Sequence, residues 1–201
     1  LINPFIKKSS FRKSYAFIIG LGNYKRGWPR IEAAYYDARR VQEYLIKDAE
    51  FDYVVTLTNS FATKEAITRY MEEEFPKILK KDDRFLFYYS GHGTQRKIGD
   101  LIAGYLPMQN STESSYSTMI SMSDIERWDD LIHRTKHVLF ILDCCFSGLA
   151  GQQPKSALKE KTLERLSQYS HYLITAGTKD EEIQEESFLK MQEQYQKNYD
   201  W

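Results

Sequence analysis

Apolar residues follow two rhythms along this chain. Tyr15-Ala16-Phe17-Ile18-Ile19, Phe85-Leu86-Phe87-Tyr88-Tyr89 and Val138-Leu139-Phe140-Ile141-Leu142 are apolar at every position, the pattern of strands covered on both faces. Tyr53-Val54-Val55-Thr56-Leu57 and His171-Tyr172-Leu173-Ile174-Thr175 predict two further strands. Between them the apolar spacing lengthens to three and four residues. Ile31, Ala34, Ala38, Val41 and Leu45 mark one face of a first helix. Thr63 is placed to cap a second, with Ile67, Tyr70, Met71 and Phe75 on one side. Ser123-Asp124-Ile125-Glu126 has the form of a capping box and predicts a third, with Ile125, Trp128 and Ile132 facing inward. The segment from Ile98 to Ile120, punctuated by Gly, Pro, Asn and Ser, predicts a short hairpin plus loop, and Ser156 to Ser167 a polar helix. Apolar strands alternating with helices give an α/β fold with a mainly parallel central sheet and helices on both faces.

Composition narrows this picture without redrawing it. A chain of 201 residues is one domain by length and can bury a real core. With 42% hydrophobic and 28% charged residues, its composition is that of an ordinary globular protein. Basic and acidic residues number 28 each, so no net field favours nucleic acid or an anionic membrane as partner. No apolar run approaches the roughly 20 residues of a membrane helix. Tyr15 to Leu21 follows Lys7, Lys8, Arg12 and Lys13 in the manner of a signal peptide, but it is too short, and its glycine suits a strand end. The only cysteines, Cys144 and Cys145, are adjacent, and a disulfide across one peptide bond is strained. A reducing, cytoplasmic setting is expected. The first residue is Leu1 rather than Met, which suggests a piece of something longer.

In open α/β sheets, functional residues gather just past the carboxyl ends of strands. Three such ends stand out. Phe85 to Tyr89 runs into Ser90-Gly91-His92-Gly93, Val138 to Leu142 into Asp143-Cys144-Cys145-Phe146-Ser147-Gly148, and His171 to Thr175 into Ala176-Gly177-Thr178. An imidazole and a thiol leaving one edge of a sheet supply the base and the nucleophile that thiol chemistry needs. Gly93, without a Cβ, can turn its N–H toward a ligand as an oxyanion donor. Plainer readings stand beside this one, since a buried cysteine is more often a small hydrophobe and a lone histidine structural. The plain reading is preferred for Cys144, which would point back into the sheet. For His92 and Cys145, joint placement at successive strand ends favours chemistry.

Tyr88-Tyr89-Ser90-Gly91-His92-Gly93 and Leu142-Asp143-Cys144-Cys145-Phe146-Ser147-Gly148 resemble the two catalytic motifs of the caspase/metacaspase family of cysteine peptidases. Their His-to-Cys separation of 53 residues (145 minus 92) agrees with the roughly 50 of caspases. Ala16-Phe17-Ile18-Ile19-Gly20-Leu21-Gly22-Asn23-Tyr24 is similar to the family's first strand and turn, and Ala34-Tyr35-Tyr36-Asp37-Ala38 to the metacaspase helix start that carries an acidic residue. Tyr172-Leu173-Ile174-Thr175-Ala176-Gly177-Thr178 resembles the strand of the small-subunit region. The likeness runs in order from about residue 15 to about 180. It implies a three-layer caspase-like fold over residues 15–201, behind a lead-in segment of residues 1–14.

The resemblance also implies roles. Cys145 is the attacking thiolate, His92 protonates the leaving amine, and the N–H groups of Gly93 and Cys145 hold the oxyanion. Asp37 and Asp143 match the aspartates of the metacaspase pocket that selects Arg or Lys, and a carboxylate pair of this kind needs a cation. Thr175 and Ala176 match the strand end that contacts substrate. The substrate is protein or peptide, no cofactor is required, and zymogen control by a regulatory domain or activating partner fits the family. Lys155, Lys159, Lys161 and Arg165 are candidate self-processing sites, with a solvated helix face as the plainer reading. Calcium activates many metacaspases, but the run from Asp180 to Glu186 lacks the alternating spacing of a dedicated loop and reads as a polar helix.

Some positions depart from the pattern. Arg30 stands near, but out of step with, a pocket arginine of the Asp-cutting members, so basic specificity is preferred. Phe146 replaces the histidine frequent in metacaspases, and a sixth strand is not evident, so the domain is truncated, or segments are missing, or the rest lies on another chain. Three functions stay open: a peptidase cutting after Arg or Lys within a larger regulated protein, a related peptidase cutting elsewhere, for instance after Asp, and an inactive assembly module. Intact His92 and Cys145 weigh against the last.

Overall fold

In the computed structural model, residues 11–99, 101–144, 146–147 and 171–175 are described. In chain order these form β1 (Ser14–Gly20), α1 (Glu32–Lys47), β2 (Tyr53–Thr58), α2 (Lys64–Arg69), α3 (Phe75–Ile78), β3 (Arg84–Ser90), β4 (Gly93–Ile98), β5 (Leu101–Leu106), β6 (Ile120–Ser121), α4 (Met122–Leu131), β7 (His137–Asp143), β8 (Phe146–Ser147) and β9 (His171–Thr175). A π-helical turn, Tyr70–Glu74, joins α2 to α3. The five runs predicted as strands are strands, and they lie in the order β2-β1-β3-β7-β9, each neighbour parallel. A smaller sheet, β6-β5-β4-β8, carries the remaining four.

Burial on both faces explains the unbroken apolar runs, because alternate residues enter two different cores. Phe17, Ile19, Phe85, Phe87, Tyr89, Phe140 and Leu142 face the larger core, which α2, α3 and α4 close with Ile67, Phe75 and Trp128. The rings of Phe17 and Phe75 sit 5.3 Å apart, and those of Phe87 and Phe140 5.5 Å. Each such pair adds about 0.5–1.5 kcal/mol beyond its buried area. Ala16, Ile18, Leu86 and Tyr88 face the other way, against Ala38, Val41 and Leu45 of α1. Helices therefore cover both faces, and α1 buries the stripe its spacing predicts. Among the described residues, no helix is long and apolar enough to cross a membrane.

Two expectations shift. The capping box belongs to Ser121 and Asp124, not to Ser123: the Ser121 hydroxyl accepts from the Asp124 N–H at 3.1 Å, and Asp124 Oδ2 accepts from the Ser121 N–H at 2.8 Å. Pairing of β6 with β5 holds the chain extended through Ser121, so the helix starts immediately afterwards. The hairpin begins at Gly93 rather than near Ile98, because Thr94-Gln95-Arg96-Lys97 is polar and leaves no apolar period to read. Ser156 to Ser167, Lys155 to Arg165 and Asp180 to Glu186 lie outside the described residues.

Helix α1 approaches β1 closely at Gly20, where a Cβ would stand 2.4 Å from the Ala38 Cβ and 3.0 Å from the Ala34 carbonyl oxygen. Neither neighbour is a flexible side-chain end, so Gly20→Ala must push helix and strand apart. A loss of about 1–3 kcal/mol is expected, as for other overpacked cores. Urea denaturation measures it, and an unchanged midpoint would refute this packing.

Candidate active site

The parallel register fixes the site. Pairing of β3 with β7 ends where Ser90 faces Asp143, and the Gly91 N–H donates to the Asp143 carbonyl at 3.3 Å. Pairing resumes in the smaller sheet, where Gly93 of β4 faces Phe146 of β8. Between the two ladders, Gly91 and His92 on one chain segment follow Ser90, and Cys144 on the other follows Asp143. Cys145 itself lies outside the described residues, but both its sequence neighbours are placed. Cys144 is buried in the larger core, as its plain reading held.

His92 is held by the loop between β1 and α1. The Gly22 and Asn23 N–H groups donate to Asn59 Oδ1 at 3.1 and 3.0 Å, and the Ile31 N–H closes the loop onto the Gly22 carbonyl at 2.9 Å. From this loop the Pro29 carbonyl lies 2.9 Å from His92 Nε2. A carbonyl can only accept, so Nε2 carries the proton and Nδ1 is left as the basic nitrogen. The rings of Tyr24 and Trp28 flank the imidazole at 5.1 and 5.3 Å between centroids. Tyr24 Oη accepts from the His92 N–H at 2.8 Å. Burial pushes the Tyr24 hydroxyl up to about 12, so it stays neutral.

The two aspartates meet on the face covered by α1. Asp143 ends β7, and Tyr88 Oη donates to its Oδ2 at 3.1 Å. Asp37 precedes Ala38, the residue that packs on Gly20, and so is carried to the same strand ends. Its carboxyl is pushed above the usual range, by burial first and by the Asp143 charge second, while Arg40, 3.9 Å away, pulls it down. Burial and the same two carboxylates push the Tyr88 hydroxyl well up. Two carboxylates that feel each other at a half-buried site repel, and a positive charge between them would relieve the repulsion.

Of the residues singled out from sequence, His92, Gly93, Asp37 and Asp143 thus gather at one end of the sheet. Thr175 closes β9 opposite Leu142, one residue before Asp143. Ala176 lies outside the described residues. Tyr24, Trp28, Pro29 and Tyr88 were missed as site residues. Tyr88 was findable, since alternation puts it on the same face of the sheet as Asp143. The Pro29 contact uses a backbone carbonyl and leaves no trace in residue type.

The Asp37 shift has a sign that can be checked. A carboxyl with a raised folded pKa binds its proton more tightly in the native state, so stability falls as pH rises from its unfolded value through its folded value. Asp37→Asn is therefore expected to stabilise the fold at pH 7 and to leave it nearly unchanged at about pH 3, where the aspartate is already protonated. Urea midpoints at the two pH values measure this, and a lower midpoint for the variant at pH 7 would contradict it.

Comparison with known proteins agrees with this architecture. The caspase-domain family model matches residues 13–197. A probable protease of a Desulfuromonadales bacterium is 26% identical over 151 residues, 66% of this chain and 18% of that protein, so the chain spans under a fifth of that relative's length. A crystal structure of a Geobacter sulfurreducens protein shares the fold with a TM-score of 0.52 at 22% identity, over 68% of this chain and 52% of that one. Pro-sf-caspase-1 is more distant, with a TM-score of 0.46 at 12% identity over 77% of this chain and 56% of its own. With a parallel sheet, the two motifs at adjacent strand ends and a family match over nearly its whole length, this chain belongs to the caspase-domain peptidase family.

Proposed function

We propose that this domain is a cysteine endopeptidase that cuts after Arg or Lys, with Cys145 as nucleophile and His92 as its proton carrier. The observation that carries the reading is the pair of parallel ladders on either side of the two motifs. Ser90 faces Asp143 before the gap, and Gly93 faces Phe146 after it. In this reading His92 Nδ1 takes the Cys145 thiol proton, and the thiolate attacks the scissile carbonyl and forms the C–S bond. The carbonyl electron pair moves to oxygen, where the N–H groups of Gly93 and Cys145 stabilise it. Collapse expels the amine, which takes a proton from His92 Nδ1, and water then hydrolyses the acyl-enzyme after giving a proton back to the imidazole. The Nε2–H bond to Pro29 supports this assignment, because it leaves Nδ1 for proton transfer.

Asp37 and Asp143 supply the specificity. A substrate guanidinium or ammonium relieves their repulsion, whereas a substrate aspartate would add a third negative charge. Thr175 and Ala176 flank the substrate from the end of β9. The domain acts as the effector part of a larger regulated protein, in a cytoplasmic setting where the thiol stays reduced. Calcium enters as a candidate activator and not as a participant in bond cleavage.

Fluorogenic peptides ending in Arg, Lys or Asp, with and without calcium, test the reading. Cleavage after Arg or Lys is expected, and it should vanish in Cys145→Ala. In Asp143→Asn, kcat/KM for the basic peptides should drop about 10- to 100-fold, in line with about 1.5–3 kcal/mol for a charged hydrogen bond. Cleavage after Asp would overturn the pocket, and silence under every condition would favour an assembly module.

A further inference from the structure

The peptidase reading leaves two buried tyrosines of the motif segments unused. Tyr24 and Tyr89 both lie in the larger core, and their hydroxyls border the same space beside Gly91. Tyr89 Oη donates to the His92 carbonyl at 2.8 Å, with the Pro107 carbonyl at 3.2 Å as a second acceptor. Both of those partners can only accept, so the Tyr89 proton points to them. Tyr24 Oη in turn accepts from the His92 N–H at 2.8 Å. A clamp results. Tyr24 holds the His92 N–H and Tyr89 the His92 carbonyl, fixing both ends of one residue.

Gly91 belongs to the same device. A Cβ there would stand 2.7 Å from Tyr89 Oη and 2.8 Å from Tyr24 Oη, so the two hydroxyls occupy the space that any other side chain would need. Packing adds a further hold, since the Tyr24 ring lies 5.1 Å from the imidazole. The chain segment between two sheets has no ladder of its own, and a backbone without one drifts unless side chains bond it. Here the side chains that bond it come from β3 and from the loop after β1.

We propose that Tyr24 and Tyr89 are positioning residues that lock the His92 backbone through these two hydrogen bonds, and so set the imidazole geometry needed for proton transfer. The inference rests on the peptidase reading for its meaning, but not for its test. A misplacement of about 1 Å at a reacting group lowers turnover about 100-fold. Loss of either hydroxyl should therefore act on kcat rather than on KM.

Tyr24→Phe and Tyr89→Phe keep the aromatic packing and remove one bond each. Each is expected to lower kcat for the basic peptides about 10- to 100-fold, with KM within about twofold and the acid limb of the pH profile displaced. Tyr15→Phe, a hydroxyl lost from the same core away from His92, should do neither. The imidazole ¹⁵N resonances of His92, assigned with His92→Gln, give a readout that needs no activity. The parent should show one fixed Nε2–H tautomer, and each variant an exchange-averaged one. In the unmodified chain, the His92 amide should exchange with deuterium far more slowly than an unstructured amide, a measurement that stands even if a variant does not fold. Unchanged resonances in both folded variants, or a fast-exchanging His92 amide, would overturn the proposal. A silent parent with a protected amide and a fixed tautomer would instead keep the clamp and sink the peptidase reading.

Discussion

The pairing of β3 with β7 is the constraint on which the site depends. Parallel strands align residue by residue, so setting Arg84 opposite His137 at the start also sets Ser90 opposite Asp143 at the end. A slip of one residue would turn Tyr88 and Ile141 from the α1 side to the other core. The two buried faces oppose that slip, because nearly every side chain in these strands has an assigned neighbour in one core or the other. Core packing therefore locates the chemistry, and the residues that carry it need no strong attraction for each other.

Beyond the strand ends the fold uses a different means of support. The main sheet stops, a smaller sheet begins, and the residues between them are exposed to drift. Polar groups take over from ladder bonds there. Asn59 and the Gly22 carbonyl close the loop after β1, and that loop brings the Pro29 carbonyl, Trp28 and Tyr24 to His92. On the opposite face, Tyr88 fixes Asp143 while α1 delivers Asp37. The face that holds the histidine and the face that holds the aspartates are thus served by different cores.

Much of this was legible in the sequence. Unbroken apolar runs marked the five parallel strands, because burial on both faces removes the alternation that would otherwise hide them. The stripe of Ala34, Ala38 and Leu45 gave α1, and the glycines around His92 marked a place of close approach. Three kinds of feature were not legible. The polar strand β4 carries no apolar period, so its early start at Gly93 was lost in the loop reading. The capping serine was misplaced by two residues because three serines compete there and only the β6 pairing selects Ser121. Contacts made through backbone carbonyls, such as that of Pro29, leave no residue-type signal. Tyr24 and Tyr89 were visible in the motif segments, yet apolar counting treats a tyrosine as a core ring and overlooks its hydroxyl.

The proposed roles are Cys145 as the nucleophile, His92 as its partner, and Asp37 with Asp143 as the pocket for a cation. A peptidyl arginine chloromethyl ketone tests these roles at once, because alkylation requires the thiolate, its partner and the pocket together. Peptide mapping by mass spectrometry should find one adduct per chain, on Cys145 and not on the buried Cys144. The rate should drop in His92→Ala and again in Asp143→Asn. An adduct on Cys144, or a Cys145 labelling rate that neither variant changes, would contradict the account.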